Sequence, residues 1–130
     1  MRKPLVALAL VLVPVSAATG CAVDTRSPAR AAERFHAAIS AHQEAAACAM
    51  LTRQTAEKLP DRGQTCADAL QELGLGPGGG VTAVSVWGDE AQVRLRGDTL
   101  FLRHFSDGWR ISAAGCSPVR DLPYECEVED

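Results

Sequence analysis

Between Val81 and Cys116 the chain is punctuated three times, by Gly88-Asp89, Gly97-Asp98 and Asp107-Gly108, at intervals of nine and ten residues. Each dipeptide suits a two-residue hairpin turn, because Gly and Asp reach the left-handed backbone region that such turns need. Two-residue turns set Val86 opposite Ala91, Val84 opposite Val93, Leu95 opposite Leu100, Val93 opposite Leu102 and His104 opposite Ile111. Cross-strand partners share a face. One side of the ribbon therefore collects Val84, Val86, Ala91, Val93, Leu95, Leu100, Leu102, Trp109, Ile111 and Ala113, with His104 among them. A one-residue slip in any turn would scatter that set. The pattern predicts a four-stranded antiparallel meander with one apolar face, and residues 124–128 add a short fifth strand pinned by Cys126.

The residues before this ribbon read as helices. Ser27 is placed to cap a helix that Pro28 opens, with Ala31, Phe35, Ala38 and Ile39 on one face at helical spacing. A second short helix is predicted over residues 43–51. A third follows the capping-box spacing of Thr65 and Asp68 and ends at Gly74. Gly76-Pro77-Gly78-Gly79-Gly80 reads as a linker, since it lacks the Lys-Ser/Thr that a phosphate loop requires. Helices followed by a meander with one oily face predict an α+β layer, the helices covering that face.

The first twenty residues have a different character. Arg2 and Lys3 carry charge, residues 5–15 are apolar apart from Pro14, and residues 17–20 are small, as in an export signal. Eleven residues of helix span about 16 Å, roughly half of a bilayer's hydrocarbon thickness, so this run is too short to cross a membrane permanently. Its end, Ala18-Thr19-Gly20-Cys21, resembles the lipobox of bacterial lipoproteins, although Ala18 stands where that pattern prefers Leu. The resemblance implies cleavage before Cys21, fatty acylation (palmitate) of that cysteine, and a lipid-anchored protein on the extracellular side of the cell membrane. Residues 21–27 then form the lipidated cysteine and tether, and 28–128 the domain. The remaining Cys48, Cys66, Cys116 and Cys126 form an even set in a short exported chain, as in a disulfide framework. Three pairings are open; Cys48 with Cys66 and Cys116 with Cys126 are favoured because each closes a short loop. None of the four has the close Cys-x-x-Cys spacing of zinc modules, so no metal is expected.

From Cys21 onward the chain has 110 residues, enough for one domain. The 13 basic residues less Arg2 and Lys3 leave 11 against 16 acidic, a formal net charge of −5. Nucleic acid is not expected as a partner, because no overall basic field holds phosphates.

The order of elements, the length and the endings "DTLFLRHFSDGWRISAAGC" and "PYECEV" resemble the cystatin-like, nuclear-transport-factor-2-like lipoproteins of bacteria over about residues 28–128. That resemblance implies a strongly bent, cone-like sheet wrapped around a long helix. It leaves function open, since the fold hosts enzymes and binding modules alike. Enzymes of this shape need a carboxylate or histidine base inside the cone. The derived inner face has no Asp or Glu, so no catalytic residue and no cofactor is assigned. The candidate pocket residues are His104, His36 and Trp109, which would serve a small hydrophobic ligand or isomerase-like chemistry.

The opposite face carries Arg94, Arg96, Phe101, Arg103, Phe105 and Arg110. In the two-residue register Phe101 lies opposite Arg94 and Phe105 opposite Arg110, an arrangement suited to guanidinium stacking on rings. This is the candidate docking face for a second copy of the domain or an envelope protein. The favoured function is a membrane-anchored binding or assembly module, with the ligand binder as the alternative.

Overall fold

A computed structural model describes Pro14 and residues 22–130; the export leader and the lipid site at Cys21 lie outside the described residues. Among the described residues four helices, α1 (Arg26–Ser40), α2 (Glu44–Met50), α3 (Arg53–Lys58) and α4 (Cys66–Leu73), precede five strands. The strands are β1 (Val81–Trp87), β2 (Glu90–Leu95), β3 (Thr99–Phe105), β4 (Gly108–Val119) and β5 (Leu122–Val128). They form one antiparallel sheet in chain order, so the α+β class and the meander stand as expected. Among the described residues no helix is long and apolar enough to cross a membrane.

Local chemistry explains where the helices start. The helix α1 begins two residues earlier than expected, because Asp24 and not Ser27 does the capping: its carboxylate accepts the Arg26 and Ser27 N–H groups at 2.9 and 3.2 Å. Hydrogen bonds from Ser27, first from its hydroxyl and then from its backbone, hold the Asp24 carboxyl below the usual carboxylate range. Pro28 is still within the first turn, where no intrahelical acceptor is lost. At α4 both halves of the capping box form, Thr65 Oγ1 accepting the Asp68 N–H and Asp68 the Thr65 N–H. The helix stops at Gly74, whose φ of 58° is left-handed. The capping and periodicity signals predict three helices. The fourth, α3, is capped by Thr52, whose Oγ1 accepts the Thr55 N–H at 3.1 Å.

The strands pair as expected at the first hairpin, with Val84 opposite Val93 and Val86 opposite Ala91. Beyond it the register moves by two residues. Val93 meets Leu100 and Ala91 meets Leu102, because the β2–β3 connection runs from Leu95 to Asp98 and not through Gly97-Asp98 alone. His104 meets Trp109, because Phe105 and Gly108 close the next turn around Ser106-Asp107. Two is the side-chain period of a strand, so the faces survive both shifts: Leu100, Leu102 and Ile111 are fully buried. The exception is Ala113. An irregularity between Phe101 and Leu102 leaves Ser112 as an extra residue on β4, so that Ala113 pairs with Phe101 of the outer face and Ala114 joins the core.

The helix α1 lies across β1, β2 and β4 and buries Ala31, Ala32, Phe35 and Ala38. Phe35 packs with Leu51, Leu70, Val93, Leu100, Leu102, Ile111 and Val128 in the core. Full burial of such side chains stabilises by about 1.5–3 kcal/mol each, and Phe35→Ala would cost about 3–5 kcal/mol. Two disulfides brace the shell: Cys48–Cys66 ties α2 to the start of α4, and Cys116–Cys126 joins directly opposed positions of β4 and β5. The pairing favoured from loop length is therefore present. Residues 76–80 are not a free linker. The Gly97 N–H donates to the Gly78 carbonyl at 2.8 Å and the Arg96 N–H to that of Gly80 at 3.0 Å, fastening the stretch to the β2–β3 connection.

Candidate functional site

Two regions concentrate polar chemistry, and they lie at opposite ends of the sheet. At the β2–β3 end, His36 projects from the buried side of α1 and its Nε2 lies 2.6 Å from Asp98 Oδ2. The same oxygen accepts the Gly115 N–H at 3.2 Å, and Oδ1 accepts those of Thr99 and Cys116 at 2.7 and 3.1 Å. One carboxylate thus fastens α1, the β2–β3 connection and β4 together. Both side chains are almost wholly buried, with 7% and 5% of their surface exposed.

A hollow of about 210 Å³ adjoins this pair, with Leu75, Gly76, Gly115 and Glu127 among its walls. Access along the ring face is closed, since a Cβ on Gly78 would come within 2.6 Å of His36 Cγ and 2.7 Å of Leu95 Cδ1. Asp98 already serves four donors, so its oxygens are committed; His36 Nδ1 is buried with no hydrogen-bond partner among the described residues, and no solvent-open approach to a base is seen along the ring face covered by Gly78. The arrangement is that of a structural staple. A two-residue turn at Gly97-Asp98 predicts no carboxylate on the inner side and makes Asp98 a turn residue. The structure corrects this, because the longer connection turns the Asp98 side chain inward.

His104 and Trp109 continue the inner face at the other end of the sheet, where Trp109 packs against the core and lines a small hollow with Ala31 and Arg34 of α1. Their rings are tilted by 41° with centroids 4.8 Å apart, and the His104 side chain is 47% exposed beside Asp89. The three candidate pocket residues are therefore not one site: Trp109 pairs with His104, while His36 belongs to Asp98. Trp87, at the β1–β2 turn, is 52% exposed.

The outer-face residues divide into three groups. Arg94 is opposite Thr99 and not Phe101; its guanidinium reaches the Tyr124 hydroxyl at 3.4 Å, while Phe101 meets the Tyr124 ring edge-on at 5.3 Å. Arg96 lies along Gly79 and Gly80. Arg103, Phe105 and Arg110 gather at the β3–β4 hairpin, where Arg103 is opposite Arg110, and Phe105 opposite Gly108 and not Arg110. The two-residue register shifts remove both expected arginine–phenylalanine stacks.

Like charges set directly across a sheet repel. Here each has its own acid: Arg103 Nε donates to Glu90 at 2.9 Å, and Arg110 Nη2 to Asp107 at 2.6 Å. The hydrogen bond and charge of Glu90 hold Arg103 above its usual range, and that of Arg110 holds the Asp107 carboxyl below its own. Arg110 Nη1 also donates to the Ala49 carbonyl at 2.8 Å, tying the hairpin to α2.

Beside this hairpin runs an open groove of about 960 Å³, floored by Leu51 and Ala56, with Arg53, Phe105 and Arg110 along its sides. It exists because residues 51 and 52 pair with the free side of β4 at Ile111, which brings α3 alongside the sheet. Phe105, 40% exposed, is the apolar side chain most available there. The hairpin wall is visible in the sequence as part of the outer-face set; the helical wall is not. The Thr52-x-x-Thr55 cap was the signal for it. Among the described residues no three His, Cys, Asp or Glu side chains come together as a metal site. No protein-family model, curated protein or solved structure matches the chain.

Proposed function

We propose that this chain is an exported, lipid-anchored module that presents a nuclear-transport-factor-2-like domain on the outer side of the cytoplasmic membrane and binds an envelope partner through the groove beside the β3–β4 hairpin. The observation that carries the binding role is the groove itself. Its volume of about 960 Å³ is at the upper end of ligand-site sizes, yet it is open along its length, which suits a protein segment better than an enclosed small molecule. It offers an exposed ring, an apolar floor and guanidinium groups with spare donors, the residue types that anchor protein interfaces. The inner face offers less: Phe35, Leu100, Leu102 and Ile111 occupy the space a small ligand or isomerase substrate would need, and His104 lies at its rim.

The leader and its lipobox-like end support export and anchoring at Cys21, and the two disulfides are in keeping with an oxidising compartment. Helix α1 lying across a meander sheet is the layout that the cone-shaped family implies. Two experiments test the two halves. Labelling cells with an alkynyl fatty acid is expected to tag the protein and to lose the tag in Cys21→Ser; an untagged wild type removes the anchor. Membrane capture with Arg103→Ala/Phe105→Ala is expected to lose a partner that wild type retains; identical capture removes the groove.

A further inference from the structure

The meander has two outer strands, and they are defended very differently. The sequence of β5 contains Pro123, Glu125 and Glu127, which disfavour pairing with another strand by removing a donor and by charge repulsion. The sequence of β1 is VTAVSVW, with no proline and no charge. Among the described residues β1 pairs only with β2, so alternate N–H and C=O groups along its other side have no ladder partner. A bulge blunts its start, where Thr82 falls between paired positions and its hydroxyl turns to the Arg94 carbonyl at 3.2 Å. The undefended stretch is therefore residues 83–87, which centres on Ser85. Ala83, Ser85 and Trp87 are exposed on one face, and Val84 and Val86 are half-buried on the other.

We propose that β1 is a homodimerisation edge, pairing antiparallel with β1 of a second copy about a two-fold axis at Ser85. This register sets Ser85 opposite its own copy, Val84 opposite Val86 and Ala83 opposite Trp87, so every residue meets a partner from the same face. The small Ala83 leaves room for the exposed Trp87 ring to lie over it. Charge favours a second copy as the occupant. The chain is acidic overall, and β1 is the sheet edge at which two copies meet without like charges, whereas β5 against itself would bring Glu125 and Glu127 together. A single strand pair buries less than the roughly 1,600 Å² of a standard interface, so the dimer is expected to be in the micromolar range. Both grooves lie two strands or more from this edge and stay open in the dimer.

The test uses the full chain in its membrane and in mild detergent. Antiparallel partners have Cα atoms about 4.5–5.5 Å apart, within disulfide reach. Ser85→Cys is therefore expected to cross-link to a species of twice the mass, while Ala83→Cys, set opposite Trp87, does not. In sedimentation equilibrium, wild type is expected to dimerise through the micromolar range and Ser85→Lys to do so at least tenfold more weakly, with an unchanged unfolding midpoint. A monomer throughout that range, equal cross-linking by Ser85→Cys and Ala83→Cys, a Ser85→Cys link to a different protein, or a full-strength Ser85→Lys dimer would each overturn the proposal.

Discussion

The two ends of the sheet are made from similar parts and put them to opposite use. At the β2–β3 end a histidine and an aspartate meet beside Phe35, with four donors converging on one carboxylate and glycines packed over the top. At the β3–β4 end, two arginines and two acids meet beside Phe105, with solvent at hand and a groove alongside. Burial separates them. The Asp98 oxygens meet four donors and are committed to the fold, while His36 Nδ1 is buried with no hydrogen-bond partner among the described residues. Exposed pairs contribute little to stability, and their guanidinium groups remain able to exchange one acceptor for another. Residue type alone therefore does not mark a functional site; what counts is which polar groups have spare capacity that solvent and a partner can reach.

The contrast can be broken most forcefully at its closed end. Asp98→Ala leaves His36 and three backbone donors without their acceptor, and is expected to destabilise the domain by about 3–5 kcal/mol, read as a lower urea midpoint. A loss under 1 kcal/mol would show that the pair is no staple. Opening the Cys48–Cys66 disulfide with Cys48→Ser/Cys66→Ser tests the brace of the open end. With a sequence separation of 18 residues, the expected loss is about 3 kcal/mol, and it should loosen the groove wall at Cys48 in hydrogen exchange. Gly78→Ala pushes a methyl against His36 and Leu95, for an expected 1–3 kcal/mol, on the order of other overpacked sites.

A smaller effect comes from α4, away from both ends. Hydrogen bonds from Thr65 hold the Asp68 carboxyl below its usual range in the folded chain. Its contribution is thus in place above the ordinary carboxylate value and is lost as pH falls through the lowered one. Asp68→Asn is expected to flatten that acid limb of the stability curve and leave the neutral region nearly unchanged; an unaltered limb would contradict the capping assignment.

The parts of this fold that were legible in the sequence are those set by period. Alternation and turn chemistry placed the five strands and, Ala113 apart, their faces, and short loops favoured, among three pairings, the two disulfides that form. Loop length was not legible: Gly97-Asp98 and Asp107-Gly108 each fit a two-residue turn, yet Asp98 is drawn inward by His36 and the later turn centres on Ser106-Asp107. The extra residue Ser112 left no compositional mark. The helix α3 has six residues, too few for an apolar period. His36 and Asp98 are 62 positions apart, and no local pattern joins them. Of the groove, Arg103, Phe105 and Arg110 were visible as an outer-face set. Leu51 and Arg53 were not, because what brings them alongside is a single parallel bridge to Ile111.

The most direct test sets stability against binding at the open end. The full-length protein with Arg103→Ala and Phe105→Ala is compared with wild type by thermal unfolding and by capture of envelope proteins from the same membranes. Unfolding is expected to change by no more than about 0.5 kcal/mol, as for other surface sites, while recovery of a wild-type partner falls at least tenfold. Equal recovery of every partner by a variant that remains folded would show that the groove does not bind.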